Sequence, residues 1–195
     1  MAKSTKKAKT KIIKLKKPRV CAIGQRSGSY TQEVIRHFQA PHNYGKMEDP
    51  DGVGKVGNVV CGDVMWLYIK VGLVGKKEIV KDVKFETFGC VAAIATSSVI
   101  TDMAKGKTLD EAARIDKNDI IKELGGLPPV KIHCSVLAAD ALVEAVYDYM
   151  RKNNRKIPAH LEKKHKKIHA EKKEIEKRYK SWIDIEEGIQ KGKPR

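Results

Sequence analysis

The chain has 195 residues, of which 41% are hydrophobic, and a formal net charge of +16 at pH 7. This length and composition permit one sizeable hydrophobic core and argue against two. A run of about 18 uninterrupted apolar residues is absent from the sequence, which excludes a typical transmembrane helix and a membrane partner. The lysine-rich start lacks the apolar segment of a secretory signal and the arginine- and serine-rich character of a mitochondrial transit peptide. We therefore expect a cytoplasmic protein.

The positive charge is concentrated at the two ends. Residues 1–29 contain ten Lys/Arg and no acidic residue, and residues 151–195 contain sixteen Lys/Arg against seven Asp/Glu, whereas residues 30–150 have a balance of −3. The basic character therefore belongs to the tails. We expect a basic, disordered arm over residues 1–29, a compact domain over residues 30–152 and a Lys-rich helical extension over residues 153–195.

The first half of the compact region is predicted to contain one helix followed by antiparallel strands. The stretch "YTQEVIRHFQAP" places Val34, Ile35 and Phe38 on one helical face and ends at Pro41. Alternating apolar residues then predict half-buried strands with a hairpin at "LVGKKE". The alternating positions are Met65, Leu67, Ile69 and Val71, and then Val83, Phe85 and Thr87.

The second half is predicted to be helical. "VAAIATSSVITDMAKG" ends at Gly106, a C-cap signal, Thr108 and Glu111 form a capping box, and "NDIIKELGG" begins at the Asn118 cap. The prolines exclude "LPPVK" from a helix, and a long amphipathic helix follows in "IHCSVLAADALVEAVYDYMRKN". Pro158 suits the first turn of a last helix. Its narrow apolar stripe consists of Leu161, Ile168, Ile175, Trp182 and Ile185.

Three cysteines occupy the ends of predicted elements. Cys90 lies between a strand and a helix and Cys134 begins the long helix, so both lie near helix N-termini, which favour thiolates. Cys61 ends a strand, two residues before Asp63. Three thiolates with Asp63 or His133 would complete a four-coordinate shell for zinc or for iron with sulfide, although a CxxC pair is absent. Taken alone, Cys90 could also be a small buried packing residue.

Four segments carry a family resemblance: "HFQAPHNYG", "GNVVCGDVMWLYIKV", "FETFGCVAAIATSSVITDMAKGKTLDEA" and "LPPVKIHCSVLAADAL". In order and separation they resemble iron–sulfur cluster assembly scaffolds of the IscU type, which also occur as the N-terminal domain of NifU. The resemblance covers roughly residues 30–152. It implies an α+β fold, with a three-stranded antiparallel sheet packed against about five helices and the site at one exposed end.

The resemblance also implies a role for each site residue. Cys61, Cys90 and Cys134 are similar to the cysteines that hold the cluster, and Cys134 is similar to the one that accepts persulfide sulfur from a cysteine desulfurase. Asp63 is similar to the aspartate that ligates the cluster or keeps it labile, and His133 to a neighbouring histidine that can approach the metal. The implied function is a scaffold and carrier without conventional enzymatic turnover. It builds a [2Fe–2S] cluster for apo-proteins, and zinc can occupy the empty site.

Two interpretations of "LPPVK" stay open. The segment, which comprises Leu127, Pro128, Pro129, Val130 and Lys131, is similar to the part of bacterial and mitochondrial scaffolds that an Hsp70-type chaperone grips. Alternatively it is only a rigid lead-in to the helix that carries Cys134.

The tails have no counterpart in the resemblance. They favour solubility, or docking to an acidic partner or nucleic acid. Cys21 is interpreted as an incidental thiol. His165 and His169 could share a helix face, where a solvated charged surface is favoured over a second metal site.

Three other functions compete with the scaffold. A SufU-like zinc-dependent sulfurtransferase would relay persulfide without building a cluster, and a nucleic-acid-binding protein would use zinc only for stability. The third, a Cys–His hydrolase built on His133 and Cys134, is disfavoured because adjacent side chains normally project in different directions.

Overall fold

The computed structural model describes residues 30–58, 62–75 and 77–190, with side chains described through Glu174 and at Lys177. The predicted basic arm therefore lies outside the described residues. The elements in chain order are α1 (Gln32–Gln39), β1 (Gly52–Asn58), β2 (Asp63–Val74), β3 (Lys77–Phe88), α2 (Val91–Ala104), α3 (Leu109–Arg114), α4 (Lys117–Glu123), a 3₁₀ turn (Pro129–Lys131), α5 (Ile132–Lys152) and α6 (Ala159–Gln190). The predicted α+β class is confirmed: α1 to α5 are the expected five helices of the domain, and α6 is the predicted C-terminal helix.

The sheet is antiparallel in the order β1-β2-β3. Its buried face matches the predicted alternation, because Met65, Leu67, Ile69, Val83 and Phe85 are all fully buried. A register shift between Lys70 and Val71 interrupts the pairing of β2 with β3, and Val71 is only partly buried.

The long helix α5 is the centre of the domain, and its burial exceeds the predicted amphipathic face. The sheet, α2, α3, α4 and α6 all pack against it. Strand β1 approaches so closely that a Cβ added at Gly54 would lie 1.9 Å from the carbonyl oxygen of Ala141. Buried positions therefore extend well beyond one narrow face and include Leu137, Ala138, Leu142 and Val146, whereas Asp140 and Glu144 on the opposite side are only partly buried.

The predicted face of α1 is partly wrong. The helix buries Val34 and His37, whereas Phe38 is exposed. The buried His37 ring has a hydrogen-bond partner, since its Nδ1 lies 2.8 Å from the Ser98 hydroxyl on α2. A hydrophobic pattern does not detect a polar side chain that is buried with its own partner.

Two predicted boundaries also need correction. Helix α4 is capped by Asp116 rather than Asn118, because the Asp116 carboxylate accepts from the backbone N–H groups of Asn118 and Asp119. Pro129 begins the 3₁₀ turn, since the first residue of a turn needs no N–H donor, so "LPPVK" is partly helical.

Other helix signals were predicted correctly. The capping box of Thr108 and Glu111 is present. Gly106, with φ of +82°, directly follows the actual C-cap, Lys105.

Helix α6 begins after Pro158 and rests on the domain through its first turns. Leu161 is fully buried, Ile168 packs against the same core, and Lys164 Nζ donates to the carbonyl oxygen of Ala113 over 2.8 Å. The predicted stripe positions Ile175, Trp182 and Ile185 lie where side chains are not described. Among the helices of the described ranges, none has the length and apolar character needed to cross a membrane.

The α5–α6 contact contains a carboxyl group whose ionisation opposes folding. Burial is the main cause that raises the pKa of Asp140 from 3.8 to about 6. The negative charges of Glu171 and Glu144 add to the shift, while Lys167 and Lys164 oppose it. The folded-state pKa exceeds the unfolded value, so ionised Asp140 destabilises the fold above pH 6. That cost disappears as the pH falls from about 6 towards about 4.

We expect Asp140→Asn to stabilise the protein at pH 8 by about 1–3 kcal/mol, since one pKa unit corresponds to about 1.4 kcal/mol. The gain should shrink at pH 5. Urea unfolding at both pH values measures it, with exposed Asp49→Asn as the control. A variant that is equally or less stable than the parent at pH 8 would contradict this assignment.

Candidate cysteine-rich metal site

Cys90 is the N-cap residue of α2 and follows directly on the end of β3. Its backbone is extended, with φ of −78° and ψ of 175°, and its carbonyl oxygen accepts from the N–H of Ile94. The half-exposed thiol therefore lies beside the free N–H groups and the positive end of the α2 dipole, as predicted. A cysteine ligates metals and attacks sulfur through its thiolate form.

Cys134 and Asp63 meet Cys90 in three dimensions. Cys134 is the third residue of α5 and is fully buried, and its Sγ lies 3.8 Å from Cys90 Sγ. Asp63, the first residue of β2, is 5% exposed and places Oδ2 3.7 Å from Cys134 Sγ. Residues separated by 44 and 71 positions in the chain thus form one cluster.

Gly89 makes room for this cluster, a role that sequence reasoning missed. A Cβ added at Gly89 would lie 2.8 Å from the Ala93 Cβ and 3.0 Å from the Asp63 carboxyl group. Any larger residue would therefore push the carboxylate away from the thiols. The only signal in the sequence is the glycine directly before Cys90.

His133 adds an imidazole to the cluster. Its Nε2 is buried and has no hydrogen-bond partner within the described part of the chain. The ligand atoms of Asp63, His133 and Cys134 lie within 4.8 Å of one another. His133 and Cys134, although adjacent in the chain, thus bring one ligand atom each to within 4.8 Å of the other. A buried nitrogen without a partner is well suited to ligate a metal.

Lys131 and Tyr30 surround the thiols and were not predicted as part of the site. The negative charge of the Cys90 thiolate is the main cause that raises the pKa of Lys131, with Tyr30 and Cys134 adding to it. Burial, followed by Cys90, raises the pKa of Tyr30. The Lys131 ammonium thus lies close enough to the Cys90 side chain to form a hydrogen bond with it. Neither contact can be read from sequence spacing, because both depend on how the helices pack.

The "LPPVK" segment borders the site. Leu127 packs against the small cluster that contains Cys134, whereas Val130 is 75% exposed. The segment therefore combines a partly buried anchor, Leu127, with an exposed surface at Val130. Cys61, the third predicted thiol ligand, lies outside the described residues, so its part in the site stays a prediction.

The donors that converge here fit iron, iron–sulfur or zinc chemistry. Thiolates prefer soft and borderline metals, while a carboxylate and an imidazole provide harder, more exchangeable ligands. The arrangement can therefore hold an inorganic group through ligands of unequal strength.

Comparison with known proteins identifies the family. The family model for the NifU-like N terminal domain matches residues 29–156. The chain belongs to this family.

Three curated relatives illustrate the match. The iron-sulfur cluster assembly scaffold protein IscU 1 of Archaeoglobus fulgidus is 58% identical over 126 residues, which cover 65% of this chain and 80% of the relative. The Escherichia coli K12 protein IscU is 49% identical over 131 residues, 66% of this chain and 99% of the relative. The Aquifex aeolicus protein IscU is 46% identical over 129 residues, 66% and 81% of the two chains. Helix α6 lies beyond the region that the family model matches.

Proposed function

We propose that this protein is a scaffold that builds a labile [2Fe–2S] cluster and transfers it to apo-proteins. The observation that carries the proposal is the convergence of Cys90, Cys134, Asp63 and His133, with 3.8 Å between the two sulfur atoms. The scaffold class is supported by family membership and by relatives of 46–58% identity that are named iron–sulfur cluster assembly scaffolds. The cluster is the cargo of this site, which releases it rather than turning over a substrate.

Cys134 is proposed to accept sulfur from a cysteine desulfurase. Its thiolate attacks the outer sulfur of the donor's cysteine persulfide. A new S–S bond forms on Cys134, the donor's S–S bond breaks, and the donor leaves as a thiolate. An external electron donor then supplies two electrons to convert each transferred sulfur into sulfide. Cys134 is fully buried, and Tyr30 and Leu127 pack against the small cluster that contains it. These side chains therefore have to move before the donor can reach the Cys134 sulfur.

Cys61, Cys90 and Cys134 are proposed to hold the cluster, with Asp63 and His133 competing for the remaining position. A scaffold needs to bind iron firmly enough for assembly and loosely enough for release. Four thiolates would retain the cluster, whereas an oxygen or imidazole ligand exchanges more readily.

The same reasoning suggests the partners. Beyond the desulfurase and apo-protein recipients, an Hsp70-type chaperone could grip "LPPVK", where Val130 is exposed. The basic tails suit an acidic partner. We further propose that residues 30–152 act as the scaffold domain, that residues 1–29 and 153–195 are extensions, and that the protein works in the cytoplasm, where thiols stay reduced.

A SufU-like zinc-dependent sulfurtransferase is the second candidate. The same donors suit a four-coordinate zinc ion, with which Cys134 would relay persulfide without cluster assembly. A zinc-stabilised nucleic-acid-binding protein fits less well, because the negative balance of residues 30–150 leaves only the tails to bind a polyanion.

Replacing Asp63 tests the exchangeable-ligand role. Asp63→Ala should give a cluster that persists longer and moves to an apo-ferredoxin at least several-fold more slowly, because stronger ligands then hold the iron. The rate is followed by circular dichroism after anaerobic assembly. Asp49→Ala, which removes an almost fully exposed carboxylate, is the matched control. An unchanged transfer rate in Asp63→Ala would remove this role from Asp63.

A further inference from the structure

Two histidines of α6 converge on a single carboxylate of α5. His165 Nδ1 lies 2.8 Å from Glu144 Oε1, and His169 Nε2 lies 3.2 Å from Glu144 Oε2. The three ligand atoms are within 4.8 Å of one another. Because the two histidines are four positions apart, both rings face the same side of the helix, which is the spacing that helical zinc sites use.

The groups are held in place before any ion arrives. The His165 ring stacks on Tyr147, with the ring centroids 3.6 Å apart and the planes 6° from parallel. The exposed fractions of the side chains are 13% for Glu144, 22% for His165 and 51% for His169. The carboxylate is therefore anchored in the helix interface, while His169 leaves the cluster open to solvent on one side.

The local charge also favours a cation, although α6 as a whole is basic. A cavity of about 200 Å³ adjoins the cluster and is lined by Glu144, His169, Asp140 and Glu171. Three carboxylates thus face this space, against the two lysines that also line it, Lys55 and Lys172.

A second histidine–carboxylate cluster, formed by His37, His42 and Asp102, is less suitable. Both ring nitrogens of His37 already have partners, Ser98 Oγ at 2.8 Å and an Arg36 guanidinium nitrogen at 3.3 Å. Those partners are not metal ligands of the cluster. In the α5–α6 cluster each histidine contacts Glu144. A metal ion bound by all three side chains would replace these histidine–glutamate contacts, and no partner outside the cluster would be lost.

We propose that Glu144, His165 and His169 bind one divalent transition-metal ion, such as Zn²⁺ or Fe²⁺, and thereby fasten α6 to α5. Two imidazoles and a carboxylate are a common ligand set for these ions, with water in the open position. The three proposed ligands are distinct from those of the cysteine-rich site, although His133 of that site lines the same cavity. It gives α6, which lies outside the matched family region, a defined anchor on the scaffold domain.

Cobalt(II) is the probe for the experiment, because its spectrum reports the ligand type. The full chain, reduced and kept anaerobic, is titrated with Co²⁺. A site of nitrogen and oxygen ligands gives visible ligand-field bands, whereas the cysteine-rich site adds an intense thiolate-to-cobalt charge-transfer band. We expect both signals in the parent protein.

His169→Gln and, on the other helix, Glu144→Gln should each weaken the nitrogen–oxygen site by about 100-fold or more, since losing even an outer-shell partner costs about 10- to 100-fold. The thiolate band should persist. His160→Gln is the matched control, because His160 also belongs to α6 but lies 3.3 Å from Asp110, outside the cluster.

Hydrogen exchange gives a readout that does not depend on cobalt. Saturating Zn²⁺ should slow amide exchange around His165 on α6 in the parent and in His160→Gln, but not in His169→Gln. Circular dichroism verifies that each variant keeps its helix content. Absence of nitrogen–oxygen bands in the parent, or bands that survive both His169→Gln and Glu144→Gln, would overturn the proposal. If the parent protein shows the nitrogen–oxygen bands but no thiolate band, the α5–α6 site is supported and the result counts against the cysteine-rich site.

Discussion

Cys134→Ser is expected to abolish cluster assembly, lowering the yield of bound [2Fe–2S] by about 100-fold or more. Serine keeps the size of the buried side chain but removes both the proposed persulfide acceptor and a thiolate ligand. Because even an outer-shell partner is typically worth about 10- to 100-fold in metal affinity, losing a direct ligand should cost at least as much. Bound iron and sulfide, measured after anaerobic assembly, quantify the effect.

A second cysteine variant, Cys21→Ser, shows whether the loss of cluster is specific to Cys134 or follows from removing any cysteine. Cys21→Ser makes the same chemical change outside the matched region, and it should assemble the cluster as the parent does. Mass spectrometry after incubation with a desulfurase and cysteine should find persulfide on Cys134 in both the parent and Cys21→Ser. Normal cluster yield in a folded Cys134→Ser protein would disprove the assigned role.

Gly54→Ala is expected to destabilise the domain by about 3 kcal/mol or more. The added methyl group would lie 1.9 Å from the Ala141 carbonyl oxygen and 2.8 Å from the Ala145 amide nitrogen. Both are backbone atoms of α5, so no side-chain rotation can relieve the overlap, and β1 has to move away from the central helix. Overpacking that side chains can absorb costs about 1–3 kcal/mol, so a backbone collision should reach or exceed the top of that range.

Gly57→Ala provides the control on the same strand. Its added Cβ would have ordinary contacts, the nearest 3.7 Å from the Asp63 carbonyl oxygen. This variant should be within about 1 kcal/mol of the parent, because alanine also restricts the unfolded chain. Urea unfolding measures both variants. Equal stability of Gly54→Ala and Gly57→Ala would show that the close approach of β1 to α5 is not needed for folding.

Local signals in the sequence predicted much of the fold. Strand alternation, the Thr108–Glu111 capping box and the helix start at Cys90 depend on neighbouring residues, so a single sequence contains them. The burial of His37 was missed because it depends on Ser98, a residue that lies 61 positions away.

The residues of the candidate site also fall into those that the sequence predicted and those that depend on tertiary packing. Cys90, Cys134, Asp63 and His133 were predicted as ligands of one metal from their residue types and their places at element ends, and the family resemblance implied the same set. Gly89 was missed, because its small size matters only where Asp63 packs against it. The placement of Lys131 beside Cys90 was likewise missed, and it follows from the turn that leads into α5.

The α5–α6 interface illustrates the limit most clearly. The spacing of His165 and His169 indicates a shared helix face but contains no information about what that face meets. Glu144 belongs to another helix and completes the cluster only after α6 has docked on α5. A solvated face was therefore the reasonable expectation from the sequence, and the docked carboxylate changes that interpretation.

The most direct test of the scaffold function is anaerobic assembly with ferrous iron, cysteine and a cysteine desulfurase, followed by addition of an apo-ferredoxin. The mixture also contains a dithiol reductant, which supplies the electrons that convert persulfide sulfur to sulfide. We predict a [2Fe–2S] absorbance and circular dichroism spectrum, with equal amounts of iron and sulfide, that moves from this protein to the ferredoxin. Persulfide on Cys134 with zinc retained and no cluster formed would contradict the scaffold account and identify a sulfurtransferase instead.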